Sequence, residues 1–464
     1  MLVSLVGLAL AGDSTLLLTT SANSGRVALA EGDFDGDGLP DIALTSGDGS
    51  LESTLTVWLS STGGTIDIGL AEAVGLVRLL ASDRDGDGVD KLIVGAGQTV
   101  DSAGVVHVLS GLGASDDGAR IANIAVATIA PVSGQSIFGA SLAGSDFDGD
   151  GFEELVVGAP GLSGAGIYEG SATGEIAASE SAGTVSGASG AGYAVGVVDG
   201  FIVAGGCVGK ELTSTTCPDG GELLWWSASA WNTDQTVDNA VGIEAIDFMV
   251  RSIHPLGDGF AAVGHDEAEV FDLSAGTRVE LDTETEASAG AVLVDSQGDE
   301  ALYLRAQDVI ARLEPPFADG TALAAAVDTW SIQADQLVVA SDWSGDGCPD
   351  LLASDATDGS VHVVHGPCPP PDTGDSGDST PDSGDSTPDS GDSTPDSGDS
   401  TPDSEDTARD SDTDDSDPEG PIVCEPEFGW SCGGSGVAGG LFLLLGLGLL
   451  RRSSTPSGDE QPPR

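Results

Sequence analysis

The strongest constraint on the fold is a nine-residue acidic loop that occurs four times, each time before a short apolar run. We call these segments loop A (33–41, DFDGDGLPD), loop B (83–91, DRDGDGVDK), loop C (146–154, DFDGDGFEE) and loop D (342–350, DWSGDGCPD). The runs after them, such as IALTSG and LVVGAP, are typical of β-strands and too short for most helices. Glycine at the fourth and sixth positions permits a tight turn. The repeat therefore predicts β-hairpins joined through acidic loops, in an all-β domain.

The acids of these loops suit a hard cation. Carboxylates at positions 1, 3, 5 and 9, with the backbone carbonyl of position 7, would surround one point with oxygen, which favours Ca²⁺ over Mg²⁺. An EF-hand would need Glu at position 12, where loop A has Leu44 and loop C has Val157. The predicted calcium ligands are Asp33, Asp35, Asp37, Leu39 and Asp41 in loop A; Asp83, Asp85, Asp87 and Val89 in loop B; Asp146, Asp148, Asp150, Phe152 and Glu154 in loop C; and Asp342, Ser344, Asp346, Cys348 and Asp350 in loop D.

The four loops are not expected to bind calcium equally. Loops A and C have complete acidic shells and should bind best. Loop B has Lys91 at position 9 and its fourth acid, Asp90, one place early, which argues against binding there. Loop D has Ser344 in place of a charged ligand, and Cys348 would offer only its carbonyl, so weaker affinity is expected. Turns without metal are the alternative, but four acids in one loop repel each other unless a cation neutralises them.

The spacing of the modules predicts their number. Weaker hairpins near Asp199, Asp258 and Asp295 join the four loops to make seven modules, roughly 40 to 60 residues apart, which is the period of propeller blades. These three hairpins lack the acid set and are expected to be metal-free turns. Only one strand, 361–366, follows loop D, so residues 14–20 (STLLLTT) are expected to complete the last blade and close the ring. We predict a seven-bladed β-propeller over residues 13–368, with six or eight blades as alternatives.

One module carries a family resemblance. Phe138-Gly139, loop C and Gly158-Ala159-Pro160 together resemble the FG-GAP repeat of integrin α-chains. The other three loops match mainly in the loop itself, and the middle of the chain only faintly. The resemblance implies a seven-bladed propeller with calcium hairpins in some blades, and it implies protein ligands.

Two segments outside the propeller point to export and a spacer. Residues 1–12 (MLVSLVGLALAG) end in a small-x-small pattern and are interpreted as a signal peptide without a basic residue; a buried first strand is the alternative. Residues 369–421 repeat TPDSGDS and have nothing to form a core, so they predict a disordered acidic stalk. The stalk would lift a domain off a surface, with an inert tract as the alternative.

The C-terminal region predicts a membrane segment. After a Cys-containing segment at 422–432, residues 433–452 form an apolar Gly/Leu-rich run closed by Arg451-Arg452, just long enough to span a bilayer with the arginines on the cytoplasmic side. Cys432, the apolar run and the arginine pair resemble the myxobacterial C-terminal sorting tail (MYXO-CTERM), which implies processing near Cys432 and transfer to the outer cell surface. The chain departs from that pattern in a polar tail at 453–464. A plain anchor helix is the alternative.

The cysteines fit an exported protein. They fall as three near neighbours, and no CxxC occurs, which argues against zinc and for local disulfides. The expected pairs, one of about fifteen connectivities, are Cys207 with Cys217, Cys348 with Cys368, and Cys424 with Cys432.

Charge and motifs restrict the function. With 77 acidic and 14 basic side chains, a net charge of -63 excludes phosphate-backbone binding. No catalytic motif surrounds the histidines, and His362 and His365 fall on opposite faces of a predicted strand, so no enzyme is expected. The other histidines are His107, His254 and His265. Trp225, Trp226 and Trp231 would fill the core or, if exposed, stack on sugars.

These features together predict a non-catalytic, calcium-binding propeller at a bacterial cell surface or outer membrane. It would be monomeric, tethered or sorted by its C-terminal tail, and would mediate adhesion through an extracellular protein partner. A carbohydrate-binding propeller is the alternative hypothesis, and a surface hydrolase is the third.

Overall fold

The computed structural model describes sixteen segments of the propeller region. They are residues 15–19, 27–46, 53–70, 77–97, 103–131, 137–187, 190–207, 221–264, 267–282, 287–294, 298–306, 309–318, 320–322, 325–332, 334–355 and 359–366. The predicted signal peptide, stalk, membrane segment and polar tail lie outside the described residues. Within the described part, no helix has the length and apolar character needed to cross a membrane.

Thirty β-strands in the described segments form seven separate sheets, which are the blades. Blade 1 contains β2 (Leu29–Gly32), β3 (Asp41–Ser46), β4 (Ser53–Leu59) and β5 (Gly64–Leu70); blade 2 contains β6 (Val77–Ser82), β7 (Lys91–Ala96), β8 (Val105–Leu109) and β9 (Ala127–Ala130); blade 3 contains β10 (Leu142–Ser145), β11 (Glu154–Ala159), β12 (Gly164–Tyr168) and β14 (Gly183–Ser186). Blade 4 contains β15 (Ala194–Val198), β16 (Phe201–Cys207), β17 (Gly221–Ser227) and β18 (Gly242–Ile246); blade 5 contains β19 (Ser252–Leu256), β20 (Gly259–Val263), β21 (Ala268–Asp272) and β22 (Thr277–Asp282). Blade 6 contains β23 (Ala287–Val294), β24 (Glu300–Ala306), β25 (Val309–Leu313) and β27 (Asp328–Trp330); blade 7 contains β28 (Ala334–Ala340), β29 (Asp350–Asp355), β30 (Ser360–Val364) and β1 (Thr15–Thr19).

Two further strands extend blades in parallel. They are β13 (Gly174–Ala177), which pairs with β9, and β26 (Thr321–Ala322), which pairs with β22. Because β13 lies between β12 and β14 in the sequence, the chain of blade 3 crosses back to the outer edge of blade 2. Helical structure in the described segments is limited to α1 (Ile121–Ile124) and short 3₁₀ turns at Ala114–Asp116, Pro160–Leu162, Ala178–Glu180, Ala228–Ala230 and Val237–Asn239.

The ring closes between the first and last strands, as the sequence predicts. Strand β1 pairs antiparallel with β30, from Thr15 opposite Val363 to Thr19 opposite Ser360. Blade 7 therefore takes three strands from the end of the domain and one from its beginning. This pairing completes the seventh blade and satisfies an edge that would otherwise be open. The all-β, seven-bladed fold is confirmed.

Hydrophobic packing between neighbouring blades forms the core. The buried residues divide into seven clusters, and each cluster joins one blade to the next. Strand β7 shows the principle: Leu92 and Val94 pack toward blade 1, whereas Ile93 packs toward blade 3. Side chains alternate between the two faces of a strand, so a strand covered on both faces reads as a continuous apolar run. This explains why runs such as LIVGA lack polar alternation.

Glycines allow blades 2, 3 and 4 to approach closely. A Cβ added at Gly95 would lie 2.6 Å from the carbonyl oxygen of Gly139 in the next blade. A Cβ added at Gly158 would lie 2.2 Å from the carbonyl oxygen of Gly192, again in the next blade. Both distances are too short for any side chain, so packing requires glycine at positions 95 and 158, near the ends of strands β7 and β11.

Candidate metal centres

The four acidic loops occupy the same place in four consecutive blades. Each connects the first strand of its blade to the second: loop A in blade 1, loop B in blade 2, loop C in blade 3 and loop D in blade 7. In blade 4 the same connection is the two-residue turn Asp199-Gly200, with φ of 50° and 78°. In blade 5 it is the turn Gly257-Asp258. Asp295 of blade 6 lies outside the described residues. The acidic loops thus form one continuous arc around the ring.

A shared hydrogen-bond frame of three bonds shapes loops A, C and D, and loop B has two of the three bonds. In loop A, Asp33 Oδ1 accepts from the N–H groups of Gly36 (2.8 Å) and Asp37 (3.1 Å), and its Oδ2 accepts from Gly38 (2.8 Å). Asp146 and Asp342 make the equivalent three bonds in loops C and D. Gly36 and Gly38 have φ of 79° and 83°, a region that favours glycine. The sequence pattern therefore fixes the backbone, and the backbone places the acids.

Three of the loops bring carboxylate oxygens together. Within each of the following groups the oxygens lie within 4.8 Å of one another: Asp33, Asp35 and Asp37; Asp83, Asp85 and Asp87; and Asp146, Asp148 and Glu154. An all-oxygen, anionic donor set of this kind fits a hard divalent cation. Of the predicted carboxylate ligands in loops A and C, Asp41 and Asp150 are not in these groups. Loop D, with Ser344 at position 3, does not supply such a group among the described residues.

The acid at position 9 accepts backbone hydrogen bonds. Asp41 is fully buried, and its oxygens accept from the N–H groups of Phe34 (3.1 Å) and Ser60 (2.9 Å). Glu154 accepts from Phe147 N–H at 2.8 Å in the same way. Asp350 of loop D is also buried and accepts from two backbone N–H groups, at 2.7 and 3.0 Å. Position 9 therefore fastens each of these loops to its own blade.

Burial, together with crowded negative charge, raises the pKa values of loop acids. Burial, with repulsion from Asp35 and Asp37, raises the pKa of Asp41 to about 6. Burial and the acids at positions 3, 5 and 1 of loop C raise the pKa of Glu154 above its usual value. Partial burial and repulsion from its neighbours raise the pKa of Asp35 as well. A bound cation would relieve this repulsion.

Position 2 carries a large side chain that enters the core. Phe34 is fully buried, Phe147 stacks on Trp231 with ring centroids 6.3 Å apart, and Trp343 lies 5.7 Å from Trp58. Loop B has Arg84 in this position, also buried, with its Nη2 donating to the carbonyl oxygen of Glu169 at 2.5 Å. Burial lowers the pKa of Arg84 to about 10, against the opposing effect of nearby acids.

Loop B already holds a cation of its own. Lys91 Nζ lies 2.7 Å from Asp85 Oδ1, 2.8 Å from Asp87 Oδ1 and 2.8 Å from the carbonyl oxygen of Val89. These are three of the four ligands predicted for this loop. Burial lowers the pKa of Lys91, but its hydrogen bonds to Asp85 and Asp87 outweigh this effect and raise it.

Neighbouring loops are linked by side chains that the sequence analysis did not assign. In loop B, Asp90 Oδ2 accepts from Asp33 N–H and Asp90 N–H donates to Asp33 O, both at 2.9 Å. In loop C, Glu153 Oε2 accepts from Ser82 Oγ at 2.5 Å. Both acids occupy position 8, where loops A and D have proline, and this difference is the sequence signal for the links. The arc continues to blade 7, where Ser341 N–H donates to Glu31 Oε1 at 3.2 Å.

The tryptophans belong to the core. Trp226 and Trp231 are buried, and Trp226 Nε1 donates to the carbonyl oxygen of Thr236 at 2.9 Å. Trp225 is half-buried, with its ring against Phe260 and Gly242. The core interpretation of this aromatic group is the one that the contacts favour.

The described histidines lie in three blades: His107 in blade 2, His254 in blade 5, and His362 and the adjoining His365 in blade 7. Three of them form a hydrogen bond with the hydroxyl group of a neighbouring residue: His107 with Thr128, His254 with Ser252, and His362 with Ser360. His365 lies 3.9 Å from Asp350, whereas His265 lies outside the described residues. Burial lowers the pKa of both His107 and His254 to about 4, so both are neutral at pH 7.

Two cysteines are oxidised. Cys207 and Cys348 are each disulfide-bonded, and their predicted partners, Cys217 and Cys368, lie outside the described residues, as do Cys424 and Cys432. Cys348 is also position 7 of loop D, so this loop is held covalently.

Residues 138–197 match the family model of the FG-GAP repeat. The matched segment covers blade 3 and most of the first strand of blade 4. Its Phe138 is buried edge-on against Tyr168, with ring centroids 6.0 Å apart, and its Gly139 N–H donates to Gly158 O at 3.0 Å. The FG and GAP segments that carry the resemblance therefore meet in space.

Solved structures match the chain at low sequence identity. A chain in the crystal structure of a mitotic checkpoint complex matches with a TM-score of 0.50 and 12% identity, over 78% of this chain and 99% of that chain. BBS1N in complex with ARL6DN matches with a TM-score of 0.49 and 11% identity, over 74% and 93%. BamB from Moraxella catarrhalis matches with a TM-score of 0.42 and 14% identity, over 78% and 97%. No curated protein matches the chain.

Proposed function

We propose that this protein is a non-catalytic propeller, stabilised by calcium in loops A and C, that binds another protein outside the cell. The observation that carries the calcium proposal is the pair of oxygen clusters, each built on the same hydrogen-bond frame and each with one member, Asp35 in loop A and Glu154 in loop C, whose pKa is raised. Asp33, Asp35 and Asp37 would hold the ion in loop A. Asp146, Asp148 and Glu154 would hold it in loop C.

The chemistry that calcium supplies here is charge neutralisation. Loop A contains four acids and loop C five, and neither contains a basic residue. Backbone N–H groups satisfy part of each carboxylate, but they carry no full charge to oppose the repulsion. A divalent ion would stabilise the folded loop because the unfolded chain cannot present the same cluster. This role requires no open coordination position and no reaction.

A protein ligand is favoured over a polysaccharide. Carbohydrate binding would require exposed aromatic side chains that stack on sugars, whereas Trp231 is buried and Trp225 packs against Phe260. The FG-GAP repeat supports a protein-interaction role by its resemblance to integrin α-chains. A net charge of -63 favours partners with a basic contact surface. The N-terminal and C-terminal sequence signals support presentation at the bacterial surface.

The test counts calcium and then looks for the partner. Elemental analysis of the exported protein should find bound calcium, and the melting temperature should rise with calcium and fall in chelator. The control is the double variant D35N/D37N, which should lose one ion and keep the all-β circular dichroism spectrum. An absence of calcium together with a melting temperature unchanged in chelator would end the calcium proposal. Pull-down from intact cell surfaces with basic and acidic partner fractions, with and without calcium, tests protein binding.

A further inference from the structure

Loop B has the backbone of a metal-binding loop. Asp83 Oδ1 accepts from Asp87 N–H at 3.1 Å, and its Oδ2 accepts from Gly88 N–H at 2.9 Å, as Asp33 does in loop A. Gly86 and Gly88 have φ of 65° and 82°. Two of the three hydrogen bonds of the frame are therefore present, and loop B differs from loop A chiefly in its charges.

An ammonium group sits among the ligand atoms of this frame. Lys91 starts strand β7, and its side chain is 4% exposed. Its Nζ contacts the carboxylates of positions 3 and 5 and the carbonyl of position 7, at 2.7 to 2.8 Å. Three donor contacts use the full hydrogen-bonding capacity of an ammonium group. The carboxylates of Asp85 and Asp87 are 44% and 52% exposed, so restricted solvent access is not what would keep an ion out.

We propose that the Lys91 ammonium takes the place of calcium in loop B and makes blade 2 independent of metal. A calcium ion would need oxygen ligands at about 2.3 to 2.6 Å from the same point. It would have to displace a buried lysine and would then meet its positive charge at short range. The contrast with loops A and C rests on the proposed function.

Two neighbouring residues fit the same design. Arg84 replaces the aromatic side chain of position 2 and is buried near Glu153, Glu154 and Asp85, so loop B has two basic residues against four acids. Asp90, the acid that position 9 lacks, points instead to the backbone of Asp33. Loop B is thus a permanently charged strut between loops A and C, linked to loop A through Asp90 and to loop C through Ser82 and Glu153.

The test compares the number of calcium ions bound by matched variants of the whole chain. D85N/D87N removes both charged partners of Lys91, and D35N/D37N makes the same change in loop A. K91D gives loop B the complete acid set of loop A. Calcium is the probe, counted by equilibrium dialysis, and circular dichroism checks the fold.

The expected result is that D35N/D37N lowers the calcium count by one, that D85N/D87N leaves it unchanged, and that K91D raises it by one. A count that falls by one in D85N/D87N would show that wild-type loop B binds calcium and would overturn the inference. A folded K91D with an unchanged count would overturn it as well. A wild-type protein without any calcium would sink the proposed function instead, and K91D would still decide the role of Lys91 by gaining an ion or not.

Discussion

Blades 1 and 4 make the same connection in two different ways. Blade 4 passes from its first strand to its second through the two-residue turn Asp199-Gly200, and the strands pair fully on both sides of it. Blade 1 uses loop A, with four acids, for the same step. Because a two-residue turn is sufficient, the nine-residue loop is not required for the blade to form. What it adds is a concentrated negative charge that must be compensated; in loop B the ammonium of Lys91 contacts the acids, and in loop A the proposed calcium ion would neutralise them.

Removal of calcium should produce the largest difference in local stability between the acidic loops A and C and the Asp199-Gly200 turn. A ligand that binds only the folded state, at a free concentration about a thousand times its Kd, stabilises by about 4 kcal/mol per site. Amide hydrogen exchange in loops A and C should therefore accelerate in chelator, whereas exchange at the Asp199 turn should not change. Equal acceleration in both places would mean that calcium acts on the whole domain and not on the loops.

Removal of the acid at position 9 should cause the next largest decrease in stability. Asp41→Ala leaves two backbone N–H groups without an acceptor, the buried one of Phe34 and the partly buried one of Ser60, and a buried group left in this way costs about 1 to 3 kcal/mol. The matched control is Asp199→Asn, because asparagine also accepts the left-handed conformation of that turn and should change stability by less than about 0.5 kcal/mol. Urea unfolding measures both variants, and a control as damaging as Asp41→Ala would contradict this account.

Loss of the ammonium group of Lys91 should lower the free energy of unfolding by less, and this decrease should not depend on calcium. Lys91→Met keeps most of the side-chain volume but removes three hydrogen bonds from an ammonium to partly exposed acceptors, at a cost of about 1 to 2 kcal/mol. The decrease in unfolding free energy should appear in both chelator and calcium. A decrease that vanishes when calcium is added would indicate that an ion had replaced the ammonium.

The last prediction concerns the pH dependence of stability in metal-stripped protein. The folded-state pKa of Asp41 is about 6, above its ordinary value of 3.8, so the folded state binds the extra proton. This contribution to stability is present below pH 4 and is lost as the pH rises through 6. Glu154 shifts in the same direction. Melting temperatures in chelator-treated buffer should therefore fall from pH 4 to 7, and added calcium should reduce the fall. A fall of equal size with calcium would contradict the assignment.

The sequence predicts the ring better than the contacts within it. Seven modules and closure by residues 14–20 follow from a repeat period and from the need to pair an edge strand, and both are confirmed. The strands β13 and β26 are short and lack a strong apolar pattern, and their pairing partners lie far away in the sequence, so local preference could not reveal them.

The predicted ligands show the same limit. Glycine spacing fixes the loop frame, so the convergence of positions 1, 3 and 5 could be expected, and the clusters of loops A and B show it. The side chain at position 9 depends on three-dimensional neighbours: Asp41 bonds Ser60 of the next hairpin, and Lys91 turns back over its own loop. The sequence showed that Lys91 breaks the pattern. It did not show that the ammonium lies among the ligand atoms.

The position of β30 within blade 7 has a mechanical consequence. This strand lies between β29 and β1, with hydrogen bonds to both, and the chain continues from it toward the predicted stalk. Tension applied to that continuation would load two ladders in shear at once, instead of peeling a single edge. We expect the propeller to resist pulling through its C-terminal side, and truncation of residues 15–19 should lower the rupture force measured by single-molecule stretching.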